Sequence, residues 1–544
     1  MKKFNVLTVV VYSVFFCMNV NALSPVSAVR IDFAANGVVI DNPLVSSGVT
    51  VTNTGGHILV NAINAGAETV FVLSGAASNG SVTVYSNNAA TVVLSSLSLI
   101  NPNGAAVTIQ STKTITLTLT NGTINRISSG AAKKAAFLAK GNIIVTENGA
   151  LDIRSDSVGI EIDGILTITG GNININTTGE KGHGIKVSGI MNVNSTGTIA
   201  VTVSGNGSKG FSAKSDFILN KGAITLNTSG NAFWEAADSD ITSPAGIKCD
   251  GILTINGGRL TIASTGTGGK GISVDGDLNI NGGMVNVSTT GGQYVYDRNN
   301  DTAAKAIKSD SNLTVTGGTI VIRTYGFEAE GLESKKVLTI TGGDIDIEAY
   351  DDCINASNHI QIDGGRIYCL SQTNDGIDSN GTLSITGGFI VSAGASGMEE
   401  GFDCDQSRFS ITGGTLIGIG GATSSPTASA CTQCSVIFST ATPNVAVIRI
   451  ETVVGAKEVL TFKMPRIYSQ RMTLLFSSPS IESGTEYVIY TGGNISSGTD
   501  FHGLFSGAVY TKGTNVGNFT TNSLVSGVGN TGGRMGPGGG MGRR

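Results

Sequence analysis

One phrase recurs along the middle of the chain: an apolar residue, then Thr, Asn or Asp, then Gly-Gly, then any residue followed by apolar, any, apolar. It runs from Ile168 to Ile175, Ile255 to Ile262, Ile280 to Val287, Val315 to Ile322 and Ile340 to Ile347, with variants from Ile362 to Cys369, Ile385 to Ser392 and Ile411 to Gly418. Weaker copies keep one glycine, at Gly197 and Gly222. Successive anchor glycines, from Gly171 to Gly414, are 26, 25, 36, 25, 35, 25, 22, 23 and 26 residues apart. A small residue followed by an apolar one precedes the anchor glycine by 12 positions in Gly159-Ile160, Gly210-Phe211, Gly246-Ile247, Gly271-Ile272, Ala306-Ile307, Gly331-Leu332 and Gly376-Ile377. Two anchors held at one offset through many copies define a structural repeat.

The repeat predicts an all-β, right-handed parallel β-helix. Apolar and polar residues alternate on both sides of Gly-Gly, which gives two half-buried strands joined at a bend. Glycine supplies the backbone conformation of the bend. A third short strand belongs at the small–apolar anchor. Three strands and three turns use the length of one repeat, and like residues stack at the strand spacing of about 4.8 Å. A β-sandwich accounts for the alternation but not for copies in register. Composition agrees: 13% of residues are charged, and there are 77 Gly against 9 Pro. The net charge is −5 and no basic stripe tracks nucleic acid, so a nucleic-acid partner is not expected.

Five segments are expected. Residues 1–22 read as a signal peptide, with Lys2 and Lys3, an apolar run from Val6 to Val20, and small residues for cleavage at Val20-Asn21-Ala22. Residues 23–115 read as an N-terminal cap and first coils, 116–430 as the β-helix, 431–530 as a C-terminal β cap, and 531–544 as a Gly-rich flexible tail. The expectation is a secreted or cell-surface monomer with no transmembrane segment after cleavage. Six cysteines follow the leader. Cys431 and Cys434 suit a local disulfide, or no bond, better than a zinc half-site, because no second pair completes four ligands. His57, His183, His359 and His502 are scattered, which argues against a His-based metal or triad site.

Two long repeats carry insertions at about 230–245 and 291–305, both just before the small–apolar anchor. That turn should therefore form one ridge along one edge of the solenoid. It collects Trp234, Tyr294, Tyr296, Tyr325, Phe327 and Tyr350, the candidate ligand-binding aromatics, and it also collects acids. From Glu328 to Asp405 there are 15 acids against three bases, a net of −12. Repeat register places Glu330, Asp352, Asp375 and Glu400 in one column and Glu333, Asn355, Asp378 and Asp403 in a second. Carboxylates about 4.8 Å apart repel by roughly 1 kcal/mol in water, and by more where shielded. An oxygen-bound cation relieves this, and oxygen-only donors favour calcium. The candidate Ca2+ ligands are Glu330, Glu333, Asp351, Asp352, Asn355, Asp375, Asp378, Glu400 and Asp403. No catalytic residue is assigned.

The phrases Ala329-Glu-Gly-Leu-Glu-Ser334, Asp351-Asp-Cys-Ile-Asn-Ala356, Asn374-Asp-Gly-Ile-Asp-Ser379 and Glu400-Gly-Phe-Asp-Cys-Asp405, with the Gly-Gly coils, resemble a secreted bacterial family of carbohydrate-binding β-helix proteins. That family is known for binding cellulose and pectin-like acidic polysaccharides, and its fold resembles that of calcium-dependent pectate lyases. The resemblance covers roughly residues 115–440. It implies calcium on the acidic coils and a polysaccharide ligand. The leading expectation is a non-catalytic, calcium-assisted polysaccharide-binding protein. A polysaccharide lyase is the alternative, with Lys186, Lys248, Lys308, Lys270 or Lys305 as base. A third is a surface adhesin or structural spacer.

Overall fold

A computed structural model of the chain describes residues 27–130, 135–441 and 445–529. The expected signal peptide and Gly-rich tail fall outside the described residues. The fold is the predicted right-handed parallel β-helix. In a representative coil the chain runs through strands Ala245–Cys249, Leu253–Ile255 and Arg259–Ser264. The first lies in a 15-stranded sheet, here the anchor sheet, because it carries the small–apolar anchor. The other two flank Gly-Gly and lie in a 29-stranded sheet, here the bend sheet. Its two halves are continuous because strands Ala90–Asn101, Met191–Val203 and Phe217–Thr228 run through the bend position unbroken.

The alternation in the sequence becomes alternation in burial. Ile247, Cys249, Leu253, Ile255, Leu260 and Ile262 all point into the core and are at most 1% exposed. Fully burying each such side chain contributes about 1.5–3 kcal/mol. Coils stack residue on residue, as in Ile247 opposite Ile272 and Leu253 opposite Leu278. The bend glycines have left-handed φ, +79° at Gly258 and +91° at Gly318. A Cβ on Gly283 would lie 2.7 Å from the carbonyl oxygen of Gly258 in the coil below. Conformation and stacking therefore both demand glycine there.

The parallel ladder starts well before residue 116. Strand Ala28–Ala34 already pairs parallel with Thr69–Ala77. The cap is made by two reversed strands, Gly37–Asp41 and Thr50–Thr54, each antiparallel to its neighbour. At the other end, Ser435–Thr440 and Met472–Ser477 extend the bend sheet antiparallel, with Val525–Gly529 beside them. The rest of the C-terminal region is a six-stranded antiparallel sheet. It packs against the outside of the solenoid as well as at its end: Tyr368 stacks on His502 with centroids 3.7 Å apart, and Arg366 lies 4.7 Å over the Phe501 ring. Among the described residues the last strand of the anchor sheet is Phe402–Cys404, bordered only by an isolated parallel bridge from Glu400 to Ala422 and by the Ser424 N–H donating to the Phe402 carbonyl. Beside that strand lies a cavity of about 990 Å³. Cys249, Cys353, Cys369, Cys404, Cys431 and Cys434 are all buried free thiols, so Cys431 and Cys434 form no bond.

Candidate functional site

The two insertions fold as antiparallel hairpins. Phe233–Glu235 pairs with Asp240–Thr242, and Tyr294–Asp297 pairs with Asn300–Thr302. They stand side by side on the turn that leads into the anchor sheet. The Trp234 ring stacks on Tyr296 at 4.5 Å with 5° between planes, and the Trp234 backbone N–H donates to the Tyr294 hydroxyl at 3.2 Å. The turns are joined coil to coil by backbone hydrogen bonds, from Ala232 to Thr267, Gly268 to Gly292 and Gln293 to Phe327. Beyond the hairpins, Phe327 meets Tyr350 edge-on at 6.0 Å. All six expected aromatics thus fall on one continuous ridge. They are not equally available. Tyr296, Tyr325 and Phe327 are 51%, 54% and 56% exposed, whereas Trp234 and Tyr296 cover one face of each other.

The anchor-sheet face beside the ridge carries two columns of side chains. Pairing runs His183, Lys209, Ala245, Lys270, Lys305, Glu330 in the first column and Lys186, Ser212, Lys248, Ser273, Lys308, Glu333, Asn355, Asp378, Asp403 in the second. The second confirms the expected acidic register through Asp403. Hydrogen bonds continue the first column. The Asp375 N–H donates to Asp352 Oδ1 at 3.0 Å, and the Glu400 N–H donates to Asp375 Oδ1. Each column therefore changes sign along the solenoid, from basic to acidic.

In the basic half, the ammonium groups latch the hairpins. Lys209 Nζ donates to the Gly207 and Ser243 carbonyls at 2.7 and 2.5 Å. Lys270 Nζ donates to Thr302 Oγ1 at 2.9 Å and to the Ala303 carbonyl. Burial, and then neighbouring lysines, lower Lys209 to about 8 and Lys270 to about 7. Burial also pushes His183 down to about 3, with Lys209 and Lys186 adding to it.

At the junction, Lys305 binds both Glu330 and Glu333, the latter at 3.5 Å, and Lys335 adds a 2.5 Å contact to Glu333. Burial alone would raise Glu333, but Lys305 and Lys335 hold it down at about 2. These two expected calcium ligands therefore already have a counter-ion. Lys305 occupies the repeat position of Glu330, 25 residues earlier. A count of charge that begins at Glu328 leaves it out, although the register shows it.

Past the junction, among the described residues, Asp352, Asp375, Asp378, Glu400 and Asp403 form no salt bridge, although Arg471 lines the cavity at the sheet end. Burial first, and then Asp403, raise Asp375 well above the ordinary carboxylate range and Glu400 to about 8. Asp378 is likewise raised to about 8 by burial, then by Asp403 and Asp405. Asp352 is raised well above its ordinary value, and Asp351 is raised less, both chiefly by burial. Asn355 bridges the columns, donating to Asp352 Oδ2 at 3.1 Å and Asp378 Oδ2 at 2.8 Å. Ser424, from outside the repeat, donates to Asp403 Oδ1 at 3.0 Å. The Glu400 Oε2 atom is buried without a hydrogen-bond partner. The columns open into the cavity at the sheet end, which Asp375, Glu400, Asp403 and Asp405 line together with Arg471. The donors are oxygens, which suits calcium. Among the described residues, no three His, Cys, Asp or Glu side chains converge as a preformed metal cage.

The lyase-base candidates are engaged elsewhere. Lys186 pairs with Glu161 at 2.8 Å, Lys248 with Asp250 at 3.3 Å and with Asp275, and Lys308 with Asp310 at 2.8 Å. Lys270 is 7% exposed beneath the second hairpin. Among the described residues, no helix is long and apolar enough to cross a membrane.

Three overlapping stretches of the chain, residues 59–209, 176–327 and 324–501, match the family described as carbohydrate-binding domain-containing protein. No curated protein and no solved structure matches the chain.

Proposed function

This chain belongs to the carbohydrate-binding domain-containing family, and from that premise we propose that it holds a polysaccharide lengthwise along the aromatic ridge, without cleaving it. The observation that carries this reading is the continuity of the ridge. Hairpins and turns are hydrogen-bonded coil to coil, so Tyr296, Tyr325, Phe327 and Tyr350 form an extended array beside one sheet face. Aromatic faces stack on sugar rings, at about 1 kcal/mol each. Rigid scaffolds carry binding residues on such turns.

The ligand proposed is an acidic, pectin-like glycan or a cellulosic one, met outside the cell after export. Calcium is part of the proposal. Asp352, Asp375, Asp378, Glu400 and Asp403 would hold it, because Glu330 is already paired with Lys305, and Glu333 with Lys305 and Lys335. When bound, the ion supplies positive charge that relieves repulsion between stacked carboxylates and attracts a uronate. The engagement of Lys186, Lys248 and Lys308 in ion pairs supports binding over lyase chemistry.

The test is retention on immobilised polygalacturonate and cellulose, with calcium and with chelator, for the full chain and a Tyr325→Ala/Phe327→Ala variant. Retention that the double variant weakens upholds the ridge. No retention on any plant or microbial glycan refutes it. Calcium-dependent release of unsaturated uronate products would replace it with the lyase reading.

A further inference from the structure

The six-stranded C-terminal sheet holds buried charge on one face. Strand Val447–Thr452 sits near its middle, with Ile448 and Ile450 packed toward the solenoid. The opposite face carries Arg449 and Glu451, which are nevertheless only 6% and 4% exposed. They are covered by the Tyr510 ring, which lies over the Arg449 guanidinium, and by Lys512, which pairs with Glu451.

A charge network fills the covered space. Arg449 pairs with Glu451 at 3.1 Å and Glu458 at 2.8 Å, and Lys512 pairs with the second Glu451 oxygen at 2.9 Å. Lys512 also donates to the Tyr490 hydroxyl at 3.2 Å, and the Tyr510 ring lies 5.5 Å from the Arg449 guanidinium. Buried ion networks are weak contributors to stability compared with an apolar interior of the same volume. What this one does is fix the positions of Glu451, Lys512 and Tyr490. Those three, with Thr452, Asn515 and Asn518, line an open pocket of about 200 Å³.

The geometry points to this pocket as a second carbohydrate subsite, for a single neutral pyranose ring. It rests on the family reading above, but on no residue of the ridge. The pocket is smaller than those that hold drug-sized ligands, which run from about 300 Å³, so it takes one ring. Its charge is balanced, because the Lys512 ammonium is paired with the Glu451 carboxylate, and beside its bond to Tyr490 one Lys512 N–H remains for a ligand. Asn515 Oδ1 accepts from the Gly517 N–H and Asn518 Nδ2 donates to Glu486, which leaves the Asn515 amide NH2 to donate and the Asn518 amide oxygen to accept. Vicinal hydroxyls do both, so they satisfy such a set, whereas a uronate or phosphate would find no unpaired cation there. Lys512, Asn515 and Asn518 lie beyond residue 501, where the family match ends.

The experiment uses the full chain and saturation-transfer NMR titration with glucose, galactose, mannose and galacturonate. Wild type is compared with Asn515→Ala/Asn518→Ala, Lys512→Met and Trp234→Ala. The expected result is binding of at least one neutral hexose in the millimolar range, weakened at least tenfold by the double variant and by Lys512→Met. Trp234→Ala should leave hexose binding unchanged while weakening polysaccharide retention. If the double variant melts abnormally, Lys512→Met alone carries the comparison. The subsite is refuted if no neutral hexose binds, if galacturonate binds better than all of them, or if the pocket variants bind hexose like wild type. Wild type that binds hexose but is retained on no polysaccharide would instead refute the ridge and leave the pocket standing.

Discussion

Lys209 and Lys270 lie in the same column of the anchor sheet as Asp352, Asp375 and Glu400, yet the two halves accommodate buried charge by different means. In the basic half, like charge is met by carbonyl oxygens of the hairpins, so the lysines fasten the ridge to the solenoid. In the acidic half, Asp352 and Asp375 accept N–H groups from the next coil, and Asn355 donates to Asp352 and Asp378. The backbone thus supplies acceptors where a hairpin reaches over the column and donors where coils simply stack. The lysines keep their bonds when neutral. The carboxylates keep repelling when charged, and that difference makes the acidic half the one that a cation can stabilise.

The most disruptive test is at the junction. Lys305→Met leaves Glu330 and Glu333 without their shared cation, in a place where Lys305 and Glu333 are 13% and 2% exposed at the side chain. Removing one partner of such a buried pair costs about 3–5 kcal/mol. Urea unfolding should show a loss of that size. A loss below about 1 kcal/mol would mean that the halves are not joined by this contact.

Calcium should separate the halves next. An ion bound only by the folded acidic coils adds about 2.7 kcal/mol at a hundredfold excess over its dissociation constant. Chelation should lower the melting temperature and open the chain first to limited proteolysis between Glu328 and Asp405. Asp378→Asn should raise the stability of the chelated protein and blunt the calcium response. Melting and cleavage that ignore the chelator would remove calcium from the proposal and leave the ridge.

The pH dependence should carry opposite signs in the two halves. Asp378 and Glu400 titrate at about 8 when folded, against ordinary values of 3.8 and 4.5. The folded state then binds more protons than the unfolded one from about pH 4 to 8, so this contribution falls as pH rises through that window. Lys270 and Lys209 titrate at about 7 and 8 against 10.5. From about pH 7 to 10.5 the unfolded state binds more protons, so this contribution rises with pH. Melting temperature in chelator should pass through a minimum between pH 7 and 8. Lys270→Met should flatten the alkaline limb. A curve that rises steadily from pH 5 would contradict the acidic half.

The smallest expected effect is on the ridge itself. Tyr325→Ala should weaken polysaccharide retention by about 1 kcal/mol, roughly fivefold, and leave melting nearly unchanged, because Tyr325 is 54% exposed. Affinity electrophoresis in glycan gels reads this directly. Equal retention for Tyr325→Ala and wild type would restrict binding to the hairpins.

The fold was legible because it is written periodically. Gly-Gly recurs where φ must be positive and where a Cβ would strike the coil below, and that demand is local enough to appear in each copy. The acidic columns were legible for the same reason, since equal offsets become neighbours in a parallel ladder. Counter-charges were harder to see. Lys305 has the offset of Glu330, but its role depends on two side chains from the next coil closing on it, which spacing alone does not state. The stack of Trp234 on Tyr296 joins two insertions that follow no repeat, so only their packing could pair them. The C-terminal sheet was least legible of all. Its strands are antiparallel, its partners are the outer faces of distant coils, and Tyr368 meets His502 across a separation that no periodicity encodes. What repeats along the chain determined the solenoid, and what does not repeat was decided by three-dimensional contact, because a ladder carries sequence offset into space and an irregular segment does not.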